Sequence, residues 1–255
     1  MTRPVALVTG ARRGIGRAIC ASLAAAGHDV LGCDIAPEGA AETGAAVAAA
    51  GGHFDFRLAD LADIAAIPPL VEWAWGLGGG LEVVVNNAGV GAMVRGDPLT
   101  MTAESWDRAM AVNTRAPFFV TQAVARRMVG EGAARRGRRG VIFISSANAS
   151  IVSADRTEYS ASKAAVSMVA RCLAVRLAED GIPVFEIRPG IIRTDMTAPV
   201  AARYTARIAD GITPIRRWGE PEDIGRAVAG LLSGAIPFST GDAFHIDGGL
   251  HLHRL

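Results

Sequence analysis

Short apolar runs at residues 5–8, 30–31, 83–85, 141–144 and 184–187 alternate with longer alanine-rich stretches such as 16–26 and 103–129. Runs without polar alternation suit strands buried on both faces, and parallel strands need crossover helices to cover them. The pattern predicts an α/β fold, a doubly wound parallel sheet with helices on both faces. Ligands bind at the carboxyl ends of the strands in such sheets. With 255 residues, 50% of them hydrophobic, the chain can bury one substantial core, so a single domain over 1–255 is expected. Pro68-Pro69 interrupt an otherwise helical stretch; proline fits a first turn, so a helix is expected to restart there. At residues 130–140, Arg135, Arg136, Arg138 and Arg139 are interleaved with glycine and alanine, which reads as a solvated loop.

Charge excludes two classes of partner. The 26 basic and 25 acidic residues nearly cancel, leaving a formal charge of +1, and no global field draws the chain to nucleic acid or a membrane surface. No apolar run reaches the roughly 18–20 residues of a membrane span. The N-terminal Met-Thr-Arg-Pro leads straight into an apolar strand without a signal peptide, so a cytoplasmic protein with a small-molecule substrate is expected. Cys20, Cys33 and Cys172 are odd in number and far apart, which suggests small core residues rather than disulfides or a zinc site.

Between the first strand and first helix lies Thr9-Gly10-Ala11-Arg12-Arg13-Gly14-Ile15-Gly16. Its glycines permit a tight turn and close backbone approach to a pyrophosphate at the helix N-terminus. The second strand ends at Asp34, where a carboxylate can accept hydrogen bonds from the adenosine ribose hydroxyls. A 2′-phosphate would meet that carboxylate as a like charge, so NAD is favoured over NADP, although Arg12 and Arg13 could offset part of the repulsion.

Tyr159 and Lys163, four apart in Tyr159-Ser160-Ala161-Ser162-Lys163, share a helix face. A free phenol titrates near pH 10, and a nearby ammonium favours its ionised form. Ser146 follows the strand at 141–144, so its hydroxyl is expected at the strand's carboxyl end, where it could polarise a carbonyl.

These residues bring the chain to a family it resembles along its whole length, the short-chain dehydrogenase/reductases. The match runs through Thr-Gly-x-x-x-Gly-x-Gly at residues 9–16, Asn86-Asn87-Ala88-Gly89 after the fourth strand, Asn113 in Ala111-Val112-Asn113, Ser146, Tyr159-x-x-x-Lys163, and Pro189-Gly190 followed by Thr194. The resemblance implies a Rossmann fold of about seven strands and hydride transfer between a nicotinamide and a carbonyl/alcohol pair. It implies that Tyr159 moves the alcohol proton, Lys163 lowers its pKa and holds the nicotinamide ribose, Ser146 orients the carbonyl, and Asn113 holds a relay water. It places Gly10, Arg13, Gly14, Ile15 and Gly16 at the pyrophosphate, Asp60 and Leu61 near the adenine, Asn87, Ala88 and Gly89 along the cofactor, and Pro189, Gly190, Ile192 and Thr194 at the nicotinamide end. No catalytic metal is implied; His251 and His253 read as exposed terminal histidines. The same resemblance identifies residues 239–249 with the family's last strand and glycine turn, and it implies a homotetramer built through two-fold interfaces.

Substrate contacts are expected from residues 93–95, from 148–152 including Asn148, Ile151 and Val152, and from a lid at 195–218 carrying Met196, Tyr204, Ile208, Ile212 and Trp218 with Arg203, Arg207, Arg216 and Arg217. A solvated amphipathic helix is the competing reading of that segment. Asp155 and Arg156 lie where the family varies with substrate. The chain looks most similar to members labelled 3-oxoacyl-carrier-protein reductase, an NADPH-linked activity, whereas Asp34 points to an NAD-linked dehydrogenase of a sugar, polyol or hydroxy acid. A catalytically inactive dinucleotide sensor is the remote alternative.

Overall fold

Alternation along the first strand builds two cores at once. In β1 (Val5–Thr9), Val5 and Leu7 face one side of the sheet and Ala6 and Val8 the other, all fully buried. The structure is a computed structural model and describes residues 2–132 and 136–252. Six further strands join β1: β2 (Asp29–Asp34), β3 (Phe54–Leu58), β4 (Val83–Asn86), β5 (Gly140–Ile144), β6 (Val184–Pro189) and β7 (Ala243–Ile246). All pair in parallel in the order β3-β2-β1-β4-β5-β6-β7, so the chain order reverses between β1 and β4. Sheets of this kind bind ligands at that switch point. The expected doubly wound Rossmann fold is the observed one.

The helices α1 (Gly14–Ala25), α2 (Ala40–Ala49) and α8 (Pro221–Leu232) cover one face. On the other lie α3 (Ile67–Gly78), α5 (Ala116–Glu131) and α6 (Thr157–Leu177). As Pro68-Pro69 predicted, α3 starts at these prolines, after a short turn at Ile64–Ala66. The stretch at 103–129 is less regular than its composition suggests. It divides into α4 (Ala103–Met110), a widened π-type turn at Ala111–Arg115, and α5. Such widened turns gather at functional sites, and this one carries Asn113.

Two expectations need correction. The arginines before β5 are not all solvated. Arg139 is buried and donates to the carbonyls of Met128 and Gly132, and Arg136 donates to Gly78 and Gly80 and pairs with Glu82. Side chains of this length replace solvent at the ends of α3 and α5, where helix carbonyls lack partners. Arg135 lies outside the described residues. Cys20 and Cys33 are core residues as expected, but Cys172 is exposed. Among the described residues no helix is long and apolar enough to cross a membrane.

Helices α1 and α8 meet through Gly225. A Cβ there would lie 2.4 Å from Ser22 Oγ and 2.5 Å from the Ala18 carbonyl. Gly225→Ala must push α8 away from α1, and urea unfolding should show a loss of about 1–3 kcal/mol; an unchanged midpoint would mean that the contact yields.

Candidate active site

The turn after β1 and the loop after β4 are locked together by Thr9. Its hydroxyl accepts the amide protons of Asn87 and Ala88, both at 3.0 Å, while Asn87 Nδ2 donates to the carbonyls of Thr9 and Gly10 at 3.0 and 2.9 Å. Glycine is required here by space. A Cβ on Gly16 would lie 1.9 Å from the Gly10 carbonyl, and one on Gly10 would lie 2.8 Å from Ala88 Cα. The amino end of α1 is therefore held open beside a cavity of about 520 Å³ at the carboxyl ends of the strands.

That cavity brings together Gly10, Arg13, Gly14, Ile15, Gly16, Asp34, Asp60, Leu61, Asn87, Ala88, Gly89, Pro189, Gly190, Ile192 and Thr194 with Ser146, Tyr159 and Lys163. A glycine cradle at a helix N-terminus, with a carboxylate at the end of β2, fits a dinucleotide. Asp34 accepts from Arg12 Nε at 3.2 Å and from the Ile35 amide at 2.8 Å. Arg13 pairs with Asp195 at 2.8 Å. Asn113 is placed differently: it is buried behind the wall and does not line the cavity. Its Nδ2 donates to the Val90 carbonyl and to Ser162 Oγ, both at 2.9 Å, and its Oδ1 accepts the Val90 amide at 2.8 Å. Its side chain ties the loop after β4 to α6.

Burial raises the Tyr159 phenol above its usual range, against a hydrogen bond from Ser146 and the nearby Arg156 charge. The sequence reading assigned that lowering role to Lys163, but its Nζ is 5.8 Å from the ring centroid and donates to the Ile144 carbonyl at 3.1 Å. Burial brings the Lys163 ammonium down to about 8, with Glu186 opposing. Glu186 is itself sequestered. Burial works to raise its carboxyl, but hydrogen bonds from Arg188, Ser145 and Ser167 outweigh that and hold it below the usual range.

A family model described as enoyl-(acyl carrier protein) reductase matches residues 10–251. The chain belongs to the short-chain dehydrogenase/reductase family. It is 35% identical to a (3R)-3-hydroxyacyl-CoA dehydrogenase of Canis lupus familiaris, covering 97% of this chain and 96% of that one. It is 34% identical to a 2-dehydro-3-deoxy-D-gluconate 5-dehydrogenase of Dickeya dadantii, covering 96% and 94%. A 3-oxoacyl-[acyl-carrier protein] reductase from Brucella melitensis, solved in complex with NAD, superimposes with a TM-score of 0.96 at 45% identity over 100% of both chains. The protein is an NAD(P)-dependent oxidoreductase acting on CH–OH donors.

Of the expected substrate segments, Arg95, Asn148, Ile151 and Val152 line the cavity, whereas Met93 and Val94 do not. In 195–218 the short helix α7 (Ala201–Ala209) divides its faces. Arg203, Tyr204 and Arg207 line the cavity, while Ile208 packs with Ile191 and Trp218 in a separate small core. His251 is not an exposed terminal residue: it stacks on His245 at 3.9 Å and pairs with Asp247 at 2.8 Å. His253 lies outside the described residues. Among the described residues no group of His, Cys, Asp or Glu is arranged to hold a metal. Sequence reasoning missed Glu186 and Arg188, which sit in an otherwise apolar strand; their charge inside a buried run was the available signal.

Lys163 ties stability to pH. Its folded pKa, about 8, lies below the ordinary 10.5, so between these values the unfolded chain binds the extra proton and stability rises with pH. Lys163→Met should be the more stable protein at neutral pH by a few kcal/mol, with the gap to the parent narrowing between pH 8 and 10. Parallel denaturation curves showing a constant gap would contradict this placement of the ammonium.

Proposed function

We propose that the protein oxidises a small secondary alcohol of the sugar, polyol or hydroxy-acid type with NAD. The observation that carries this reading is the convergence of Ser146, Tyr159 and Lys163 on the cavity that also holds the glycine turn and Asp34. In the oxidative direction Tyr159 Oη takes the hydroxyl proton, and in reduction it returns one to the carbonyl oxygen. The Ser146 hydroxyl holds that same oxygen. The bound nicotinamide supplies the hydride acceptor or donor. Lys163, fixed to the Ile144 carbonyl, holds the nicotinamide ribose, while the Ser146 hydrogen bond and the Arg156 charge favour the phenolate. Asn113 acts as a positioning residue through Val90 and Ser162; the relay water expected from the resemblance would then meet its backbone rather than its committed Nδ2.

The choice of NAD rests on Asp34. Arg12, the nearest cation, is engaged by the Asp34 carboxylate and the Glu38 carbonyl, and Arg13 by Asp195, so both guanidinium groups are committed before a 2′-phosphate could recruit them. Residues 195–218 serve as the lid, within a single domain. The exposed apolar side chains Met168 and Val175 on α6 and Phe238 before β7 support a homotetramer, with association in the cytoplasm.

Side-by-side titration should show tighter binding of NADH than NADPH, and Asp34→Ala should shift the preference toward NADPH by about tenfold or more as Arg12 is released. Tighter NADPH binding by the parent would instead favour the 3-oxoacyl thioester reductase reading, which the 45%-identical Brucella melitensis structure supports. Tyr159→Phe should lower kcat by roughly 10²–10⁴ without changing NADH affinity. Turnover within tenfold of the parent would remove the tyrosine from the chemistry. Cofactor binding with no Tyr159-dependent turnover across a panel of ketones and alcohols would point to an inactive sensor.

A further inference from the structure

Away from the glycine turn, the cavity is lined by Arg95, Arg108, Arg156, Arg203 and Arg207, with Asp155 as the carboxylate among them. Asp155 does not satisfy these cations. Its Oδ1 accepts from Ser153 Oγ at 2.7 Å, while its Oδ2 lies 3.6 Å from Arg95 Nη1 and 3.9 Å from Arg203 Nη1. Both distances exceed those of a charge-assisted hydrogen bond, about 2.7–2.9 Å. Arg108 reaches only the Gly91 carbonyl, at 3.5 Å. Arg156 and Arg207 make no ion pair among the described residues. The pocket therefore carries an uncompensated positive charge.

Arg156 stands nearest the reacting group. Its Cζ is 5.1 Å from the centroid of the Tyr159 ring. Nε donates to Ser153 Oγ at 3.1 Å and Nη2 to Asn148 Oδ1 at 2.7 Å, which fixes the plane of the guanidinium. Nη1 has no acceptor among the described residues. A planar, oriented guanidinium with an uncommitted nitrogen is suited to a carboxylate. With Arg156 Cζ 5.1 Å from the ring centroid, a carboxylate one to three bonds from an oxygen held at Tyr159 Oη falls near the guanidinium, beside the Asp155 carboxylate that Arg95 and Arg203 approach.

We propose that the substrate is an acid, a hydroxy acid or sugar acid in the oxidative direction, whose carboxylate lies close to the reacting carbon and is bound by Arg156 with help from Arg95 and Arg203. This rests on the reading of Tyr159 as the acid/base of an alcohol dehydrogenase, and it selects acids from the sugars, polyols and acids named above. A neutral alcohol would leave these cations unpaired in a partly desolvated pocket, which is the stronger source of discrimination.

Two measurements test it. Malonate and malonamide are titrated into the NAD-loaded protein, and turnover is compared for matched pairs, 3-hydroxybutyrate with its amide and gluconate with glucitol. Malonate should bind at least about tenfold tighter than malonamide, a difference of about 1.4 kcal/mol. Arg156→Gln should remove that preference, Arg156→Lys should restore part of it, and Arg95→Gln should weaken malonate by a smaller factor, about threefold. The acid-to-neutral ratio in kcat/KM should collapse in Arg156→Gln, whereas loss of its charge beside Tyr159, or general damage there, lowers both partners alike and leaves the ratio unchanged. Equal binding of malonate and malonamide, or an unchanged ratio in Arg156→Gln, overturns the inference and leaves the dehydrogenase reading intact. Malonate binding through Arg156 without any Tyr159-dependent turnover overturns the dehydrogenase reading instead.

Discussion

A sheet buried on both faces leaves its chain one place to be irregular, the ends of its strands. Both faces of β1, β2, β4 and β5 are filled by helices, and the cavity opens above the carboxyl edge. There the order of strands reverses between β1 and β4, and the loops after them part. Thr9 closes the resulting gap at its base by holding the backbone of Asn87 and Ala88. Lys163 does the corresponding task on the other side, joining α6 to the last carbonyl of β5. The cavity is the space these two ties cannot fill.

Beneath that edge the core is not wholly apolar. Glu186 and Arg188 are buried on β6, and their ion pair is completed by Ser145 and Ser167. Burying charge is costly unless each lone pair and proton is met, and here the carboxylate is met three times. The arrangement grips Ser145, the neighbour of Ser146, and puts a negative charge within influence of Lys163. A lysine against a carbonyl alone loses much of its hydration; the carboxylate returns part of that loss.

The architecture was legible because its signal is distributed: five short apolar runs alternate with alanine-rich helical stretches, and the repetition specifies the sheet where a run as short as 30–31 would not. β3 gave no such signal, since an edge strand reading Phe-Asp-Phe-Arg-Leu is only half-buried. The glycine turn, Asp34 and the Tyr159–Lys163 pair were legible from spacing, because each needs only neighbours along the chain. Partners far apart in sequence were not. Arg139 looks like any solvated arginine until α5 ends beside it, and Arg156 looks like a loop residue until it lies over Tyr159. The widened turn at Ala111–Arg115 likewise leaves no trace in composition. The direction of the tyrosine's shift also escaped, since spacing reveals a nearby charge but not how completely the phenol is stripped of water.

Helix α1 has two unrelated neighbours. Its amino end forms the glycine turn, and its middle, at Ala18 and Ser22, is the surface on which α8 rests without room for a side chain at Gly225. Anything that binds only the folded chain stabilises it by mass action, by about 2.7 kcal/mol at one hundred times its dissociation constant. A dinucleotide docked at that turn thus fortifies the seat of a helix it never touches. The lifetime of this protein against cellular proteases is accordingly tied to the nucleotide pool: when nicotinamide dinucleotide runs low, the enzyme loses not only its cofactor but part of what protects it from degradation.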